Sequence, residues 1–190
     1  MRLIQIEDTK KELEQQVKEL YLEAFPKEER KPYELMKQKQ REGKMQIWAV
    51  VQEDKLDFCG LAITILYRDI VLLDYFAICQ DKRGKGIGSK ILAKIKEKYA
   101  GKRLFLEIES VSERLEGLSK EERTIRERRK GFYSRNGMKE TGLEVVLYGV
   151  SMEVLSAGGE IDFKEYLSLY VDTFGEKVAE KIKWDKKGES

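Results

Sequence analysis

The chain has 190 residues, and its 37 basic and 35 acidic side chains leave a formal net charge of +2, which does not indicate a nucleic-acid partner. It contains no histidine, which excludes a Ser-His-Asp or Cys-His nucleophile, a histidine general base and every histidine-ligated metal site. The two cysteines, Cys59 and Cys79, form no C-x-x-C pair, so the sequence predicts no metal, no disulfide framework and a reducing cytoplasm.

The length suits a single domain over residues 1–190. The first residues are too polar for a signal peptide. The longest apolar-rich runs, at residues 61–67 and 70–79, are much shorter than the ~20 residues of a membrane-spanning helix. We therefore expect neither a leader segment nor a membrane partner.

The N-terminal half combines a short strand, two helices and a strand meander. A strand at residues 3–6 precedes a helix that begins at Thr9, where Glu12 completes a capping-box pattern, and that ends at Pro26. A second, more polar helix covers residues 32–41. Three strands separated by polar turns follow, at residues 45–51, 58–67 and 70–79.

The C-terminal half begins with a glycine-rich loop at residues 83–89, which opens a helix that stops at Gly101. A strand follows at residues 103–109, and the highly charged stretch after it predicts a solvated loop and a helix that ends at Asn136. Two closing strands, at residues 143–148 and 150–155, complete the regular pattern.

A last helix begins at Asp162, with Glu165 as its capping partner. Its apolar residues recur at helical spacing and predict a stripe that packs on the domain, formed by Phe163, Tyr166, Leu167, Tyr170, Val171 and Phe174. The tail after Gly175 predicts one more helical turn through Val178 and Ile182.

The glycine-rich loop carries the clearest chemical signal. A strand, a glycine loop and a helix in succession bind anions, because backbone N–H groups and the helix N-terminus converge on one point that a side chain would block. Lys82, Arg83, Lys85 and Lys90 add positive charge around it. The glycine spacing fits neither a Walker nor a Rossmann phosphate loop, and instead reads R-x-x-G-x-G from Arg83.

This pattern resembles the GNAT superfamily of acyl-CoA-dependent N-acetyltransferases. Residues 74–89 resemble that family's pyrophosphate-binding strand and loop, residues 106–109 its next strand, and residues 132–138 its Phe-Tyr-x-x-Asn-Gly helix end. The resemblance implies an α/β (α+β) fold with a mixed, mostly antiparallel sheet flanked by helices. It covers about residues 1–155 of a single N-acetyltransferase domain, and residues 156–190 form a C-terminal helical extension.

The resemblance also implies acetyl-CoA as co-substrate. The residues expected to contact it are Phe76, Ala77, Ile78, Arg83, Gly84, Lys85, Gly86, Ile87, Gly88, Ser89 and Asn136. In the family a backbone N–H late in the preceding strand stabilises the oxyanion, which here means Ala77 or Ile78. Asn136 is equally well interpreted as a helix C-cap.

Acyl transfer to an amine benefits from a base, because an alkylamine is mostly protonated at neutral pH. Glu107 and Glu109 lie two residues apart on one face of a strand, which alone favours a solvated face or a salt bridge to an arginine. The resemblance makes Glu107 the candidate general base and Glu109 its alternative.

Tyr133 is by itself a candidate core aromatic residue. The resemblance gives it a second interpretation, as the donor of a proton or hydrogen bond to the CoA sulfur. Cys79 could be a nucleophile, but it has no histidine partner, so we expect direct transfer in a ternary complex.

The resemblance implies an acceptor site at the helix connection formed by residues 25–33, whose charges are equally well interpreted as those of a solvated connection between two helices. The sequence does not name the acceptor, which could be a polyamine, an aminoglycoside-like amine, an amino acid or a peptide end. Two alternatives stay open: a non-catalytic acyl-CoA-binding protein, and a modifier of a ribosomal or peptide amine. The protein is expected to be a monomer or a homodimer.

Overall fold

A computed structural model of the protein describes residues 1–6, 11–53, 57–111 and 117–185. The chain divides into two compact units, Met1–Lys102 and Arg103–Ser190. The predicted capping box at Thr9 and most of the predicted turn at residues 53–55 lie outside the described residues. No described helix is long and apolar enough to cross a membrane.

The first unit is an antiparallel sheet with three helices. Its strands pair in chain order and are β1 (Arg2–Gln5), β2 (Met45–Gln52), β3 (Asp57–Tyr67) and β4 (Ile70–Ile78). Its helices are α1 (Lys11–Ala24), α2 (Tyr33–Arg41) and α3 (Ile87–Lys98). The antiparallel pairing of β2, β3 and β4 confirms the predicted meander. The apolar runs that form these strands are buried for most of their length.

Strand β4 contains a bulge at Asp74. Ile63 of β3 lies opposite Tyr75, whereas the next residue, Thr64, lies opposite Leu73, so Asp74 is the extra residue. A bulge places two residues of one strand opposite a single residue of its partner and re-aims their side chains. Asp74 and Tyr75 therefore do not follow the ordinary alternation of a strand.

Helix α3 is fixed at its C-terminal end by one buried phenol. The Tyr99 hydroxyl donates to Gln46 Oε1 at 2.7 Å, accepts from Trp48 Nε1 at 3.1 Å and lies 2.8 Å from Thr64 Oγ1. All three partners belong to β2 and β3. Because the phenol is hydrogen-bonded to two strands, the end of the helix has a defined position on the sheet.

The second unit is also built on antiparallel strands. Its elements in chain order are β5 (Arg103–Glu109), α4 (Lys120–Arg135), β6 (Lys139–Leu147), β7 (Val150–Ser156), α5 (Phe163–Phe174), α6 (Glu176–Ala179) and β8 (Ile182–Trp184). Strand β7 pairs with both β5 and β6, and β8 pairs with the other side of β6. The strand predicted at residues 103–109 has these same limits in the structure.

The C-terminal extension differs from its prediction. The helical turn ends at Ala179, and Ile182, predicted to continue it, is instead the first residue of β8. The buried side of α5 is also rotated: Leu169 and Thr173 are buried with Tyr166 and Tyr170, whereas the other four residues of the predicted stripe are half-buried. A polar threonine in the buried row cannot be found by apolar spacing alone.

Candidate active site

The glycine loop of the first unit has the geometry of an anion site. Strand β4 is followed by a 3-10 turn at Gln80–Lys82, and Gly86 then starts α3 as its N-cap with φ +71°. No side chain caps this helix end, so the first-turn N–H groups lack an intrahelical acceptor. A Cβ atom built on Gly86 meets no atom within 4 Å, which leaves open space in front of the helix.

The four cations predicted around the loop have different surroundings. Lys82 donates to Asp57 Oδ2 at 2.6 Å and also pairs with Asp81, and hydrogen bonds to these two carboxylates raise its pKa. Its charge is therefore compensated. Arg83, Lys85 and Lys90 are exposed and supply the positive charge that faces solvent near the loop.

The register of β4 separates the two candidates for the oxyanion donor. The Cys79 N–H donates to the Cys59 carbonyl at 2.9 Å, which makes this pair a hydrogen-bonded one. Since such pairs alternate along an antiparallel ladder, Ala77 is hydrogen-bonded to Leu61, whereas the Ile78 N–H points away from β3. Of the two candidate donors, the Ile78 N–H is therefore the one that is not used in the pairing of β4 with β3.

The Ile78 carbonyl also points away from β3, since it accepts a hydrogen bond from Arg83 Nε at 3.1 Å. Arg83 therefore joins the end of the strand to the start of the loop. Cys79 is half-buried, and burial raises the pKa of its thiol to about 11. A protonated thiol is a poor nucleophile, which argues against the ping-pong alternative.

A cavity of about 510 Å³ lies beside the strand end that leads into the loop. It is lined on one side by α1, which contributes Glu19 and Glu23, and on the other by Phe58 and residues 79–81. The lining of this cavity therefore includes both carboxylates and apolar groups.

The segment predicted to hold the acceptor is attached to β4 through Tyr75. The Tyr75 hydroxyl donates to the Glu29 carbonyl at 2.8 Å and accepts from the Lys31 N–H at 3.1 Å. Tyr21 of α1 donates to the Lys31 carbonyl at 2.9 Å. These bonds fix the connection between α1 and α2 on the bulged part of the strand.

Asp74 completes this arrangement and was missed by the sequence analysis. Its carboxylate accepts a hydrogen bond from Lys31 Nζ at 2.7 Å, and only 3% of the side chain is exposed. The sequence does contain a signal for this residue, because Asp74 is the single acid inside the apolar run of β4. An unpaired buried charge is costly, so such a residue predicts a cationic partner.

In the second unit Glu107 is held by the C-terminal helix. Its carboxylate accepts from the Tyr170 hydroxyl at 2.9 and 3.1 Å and from the Tyr166 hydroxyl. Both tyrosines are almost fully buried. The candidate base is therefore oriented by residues from the extension that lies outside the family resemblance.

Glu109 forms salt bridges to arginine, which is one of the two interpretations that its position on the strand favoured. It pairs with Arg126 at 3.0 Å and with Arg129 at 2.6 Å, both on α4. Its two oxygens are thus used to hold this helix on β5.

Tyr133 lies near the end of α4 and is 8% exposed. Burial raises the pKa of its hydroxyl to about 12, although the nearby Arg129 charge acts in the opposite direction. The phenol therefore keeps its proton at neutral pH. Asn136 is the C-cap of the same helix, and its Nδ2 donates to the Phe132 carbonyl at 2.8 Å, which matches the C-cap interpretation.

Glu153 of β7 is a further buried acid that the sequence analysis did not single out. It accepts hydrogen bonds from Lys130 Nζ at 2.5 Å, the Val111 N–H at 3.1 Å and Ser110 Oγ at 3.2 Å. Burial alone would raise its pKa, but the bonds from Lys130 and its other donors lower the pKa below the ordinary value. Glu153 is a structural acid that joins α4 to β7.

Comparison with known proteins agrees with this architecture. The model of the acetyltransferase (GNAT) family matches residues 14–118, more than half of the chain. None of the curated proteins compared with the chain is a significant match. Among residues 1–6, 11–53, 57–111 and 117–185, no group of three or more His, Cys, Asp and Glu side chains could hold a metal ion.

Solved structures of the same fold are similar over most of the chain. A Bacteroides thetaiotaomicron protein assigned to the GNAT family has a TM-score of 0.72 and 20% identity, over 92% of this chain and 99% of its own. An aminoglycoside 6'-N-acetyltransferase complexed with coenzyme A has a TM-score of 0.63 and 16% identity, over 85% and 100%. The ribosomal-protein-S18-alanine N-acetyltransferase from Escherichia coli has values of 0.56 and 17%, over 85% and 99%. These matches confirm the predicted α/β fold, and together with the family model they show that the chain belongs to the GNAT family of acetyltransferases.

Proposed function

We propose that this protein transfers an acetyl group from acetyl-CoA to a primary amine by direct transfer in a ternary complex. The observation that carries the proposal is the start of α3, where Gly86 in the left-handed conformation leaves open space before an uncapped helix N-terminus. This is the physical arrangement that binds a phosphate group. The family membership makes acetyl-CoA the natural ligand.

The residues of the loop fit the pyrophosphate of acetyl-CoA. The backbone N–H groups of residues 84–89 would hold it, with the exposed cations Arg83 and Lys85 neutralising its charge. The Ile78 N–H, which points away from β3, would donate to the thioester carbonyl. A donor in that position stabilises the negative charge that develops on this oxygen as the amine attacks.

Two side chains of the second unit are proposed to transfer the protons of the reaction. Tyr133 protonates the departing thiolate, and the raised pKa of its buried hydroxyl supports this role because the phenol is neutral at pH 7. Glu107 removes a proton from the amine, with Tyr166 and Tyr170 as positioning residues. Glu109 is assigned to holding α4, because its oxygens are committed to two arginines.

Direct transfer is supported by the state of the cysteines. Both are free thiols, and the raised pKa of Cys79 disfavours an acetyl-cysteine intermediate. Free thiols also agree with the proposed location in the reducing cytoplasm.

The test is the release of free CoA from acetyl-CoA with a panel of amines: a polyamine, an aminoglycoside, free amino acids and peptides with a free N-terminus. With an accepted amine, Tyr133→Phe should lower kcat by roughly ten- to a thousand-fold and leave acetyl-CoA binding nearly unchanged. The exposed Tyr148 provides the control Tyr148→Phe, which should keep full activity. Tight acetyl-CoA binding without release of CoA for any amine would indicate the non-catalytic alternative instead.

A further inference from the structure

The ammonium group of Lys31 occupies a site formed by two consecutive residues of β4. Its Nζ lies 2.7 Å from Asp74 Oδ1 and 5.0 Å from the centre of the Tyr75 ring. A carboxylate together with the face of an aromatic ring is a good environment for an ammonium ion. The bulge at Asp74 explains why neighbouring residues can contact the same cation.

The walls of this site are held by contacts that do not involve the Lys31 side chain. The Tyr75 ring packs edge-on against Tyr21 and Phe25, with ring centres 4.9 Å apart in both cases. Its hydroxyl is fixed by the Glu29 carbonyl and the Lys31 N–H. These contacts of Tyr75 do not depend on the Lys31 ammonium.

One oxygen of the Asp74 carboxylate has no donor in the part of the chain that the structure describes. Asp74 Oδ2 is buried and has no hydrogen-bond partner among the described residues, although the side chain is only 3% exposed. A carboxylate accepts hydrogen bonds on both oxygens, and a buried one without donors is destabilising. Lys31 donates to the other oxygen, and 18% of its side chain is exposed, so the site reaches the protein surface.

We propose that Asp74 and Tyr75 form an ammonium-binding site, that Lys31 is its displaceable occupant, and that the ligand which replaces Lys31 is a primary ammonium group of the acceptor. The identification of this ligand as the acceptor rests on the proposed function. Lys31 is then an internal competitor, and its displacement frees Oδ1 of Asp74 for the incoming amine. A neutral or anionic acceptor cannot make this exchange.

The site is tested without acetyl-CoA, so that its outcome is independent of catalysis. Lys31→Met leaves Asp74 unpaired and should lower the Tm, and n-butylamine should raise it again by about 5–10 °C at a hundredfold excess over Kd. n-Butanol, which has no charge, should have no effect. Lys31→Arg and the exposed-site control Lys27→Met should gain no more from the amine than the wild-type protein does.

The double variant Lys31→Met/Asp74→Asn should fold and lose the rescue by n-butylamine. An equal response of Lys31→Met and Lys27→Met to the amine would overturn the proposal. Should Lys31→Met fail to fold, NMR of the wild-type protein decides: n-butylamine should shift the Lys31 Cε resonance toward that of exposed Lys27, and an unchanged resonance would overturn the site.

The link to catalysis has its own measurement. For any amine that is acetylated, Lys31→Met should lower KM several-fold with little change in kcat, because a competitor has been removed. If n-butylamine restores the stability of Lys31→Met but the KM of this variant is unchanged, the ammonium site exists and the acceptor does not bind there. If no amine is acetylated while n-butylamine still rescues Lys31→Met, the proposed function fails and the site stands.

Discussion

The carboxylate of Glu107 in β5 accepts a hydrogen bond at 2.9 Å from the hydroxyl of Tyr170 in α5, which lies 63 residues later in the chain. This bond connects the candidate base to the C-terminal extension. Arg103, at the start of the same strand, pairs with Glu165 in the first turn of the helix at 2.9 Å. Strand β5 is thus attached to α5 at its first residue and at Glu107, so the extension is part of the structural support of the candidate base.

Removal of the extension should therefore destabilise the protein. Truncation after Ala157 removes the buried side chains of Tyr166, Leu169 and Tyr170, each worth ~1.5–3 kcal/mol before correction for the compact unfolded state. We expect a loss of several kcal/mol in the free energy of unfolding, measured with urea. Truncation after Gly175, which keeps α5, should cost less. An unchanged midpoint for the longer truncation would contradict the packing described here.

The two carboxylates of β5 should respond differently to substitution. A base must be deprotonated to act, so activity falls as the pH drops through its pKa. Glu107→Gln should abolish this acidic limb of the pH–rate profile, whereas Glu109→Gln should keep it and cost about 1 kcal/mol of stability through its partly exposed arginine pairs. The opposite pattern in the pH–rate profiles would assign the base to Glu109.

Binding of acetyl-CoA should depend on the open space before α3. Gly86→Glu would place bulk and negative charge where the phosphate is proposed to lie, so calorimetry should detect no binding. Gly101→Glu is a matched control, because Gly101 also has positive φ and an open Cβ position but lies beyond the other end of the same helix. Equal affinity in the two variants would remove the loop from the binding site.

Glu153 should make stability depend on pH in the acid range. Its pKa is lowered in the folded protein, so its contribution is present above the unfolded value of about 4.3 and disappears as the pH falls through the lower folded value. Glu153→Gln should cost about 1–3 kcal/mol at pH 7, and the difference from the wild-type protein should shrink below about pH 4. The exposed Glu127 offers the control Glu127→Gln, which should show no such convergence.

Much of the fold could be predicted because it depends on local patterns. Apolar runs, turn residues and glycines gave the strands from Met45 to Ile78 and the limits of β5 to within one or two residues. The loop was visible for the same reason, since its chemistry needs glycines at fixed spacing next to a helix. These features involve neighbours in the chain.

The parts that escaped prediction depend on distant partners. Lys31 and Asp74 are 43 residues apart and meet where β4 has a bulge, which no spacing rule predicts. The three residues of β8 are too few to be distinguished from a helical tail, and they become a strand through pairing with β6. Whether Glu109 faces solvent or arginine likewise depended on where α4 lies.

The hydrogen bonds of Tyr99 have a consequence for the loop at the opposite end of α3. The helix has 12 residues and is therefore about 18 Å long, and it connects Gly86 to Tyr99 as one regular element. Gln46, Trp48 and Thr64 thus contribute to the position of α3, although none of them belongs to the loop. We expect substitutions in this polar cluster to shift α3 and, with it, the loop proposed to hold the phosphate group, so residues inside the sheet would influence a site to which they contribute no contact.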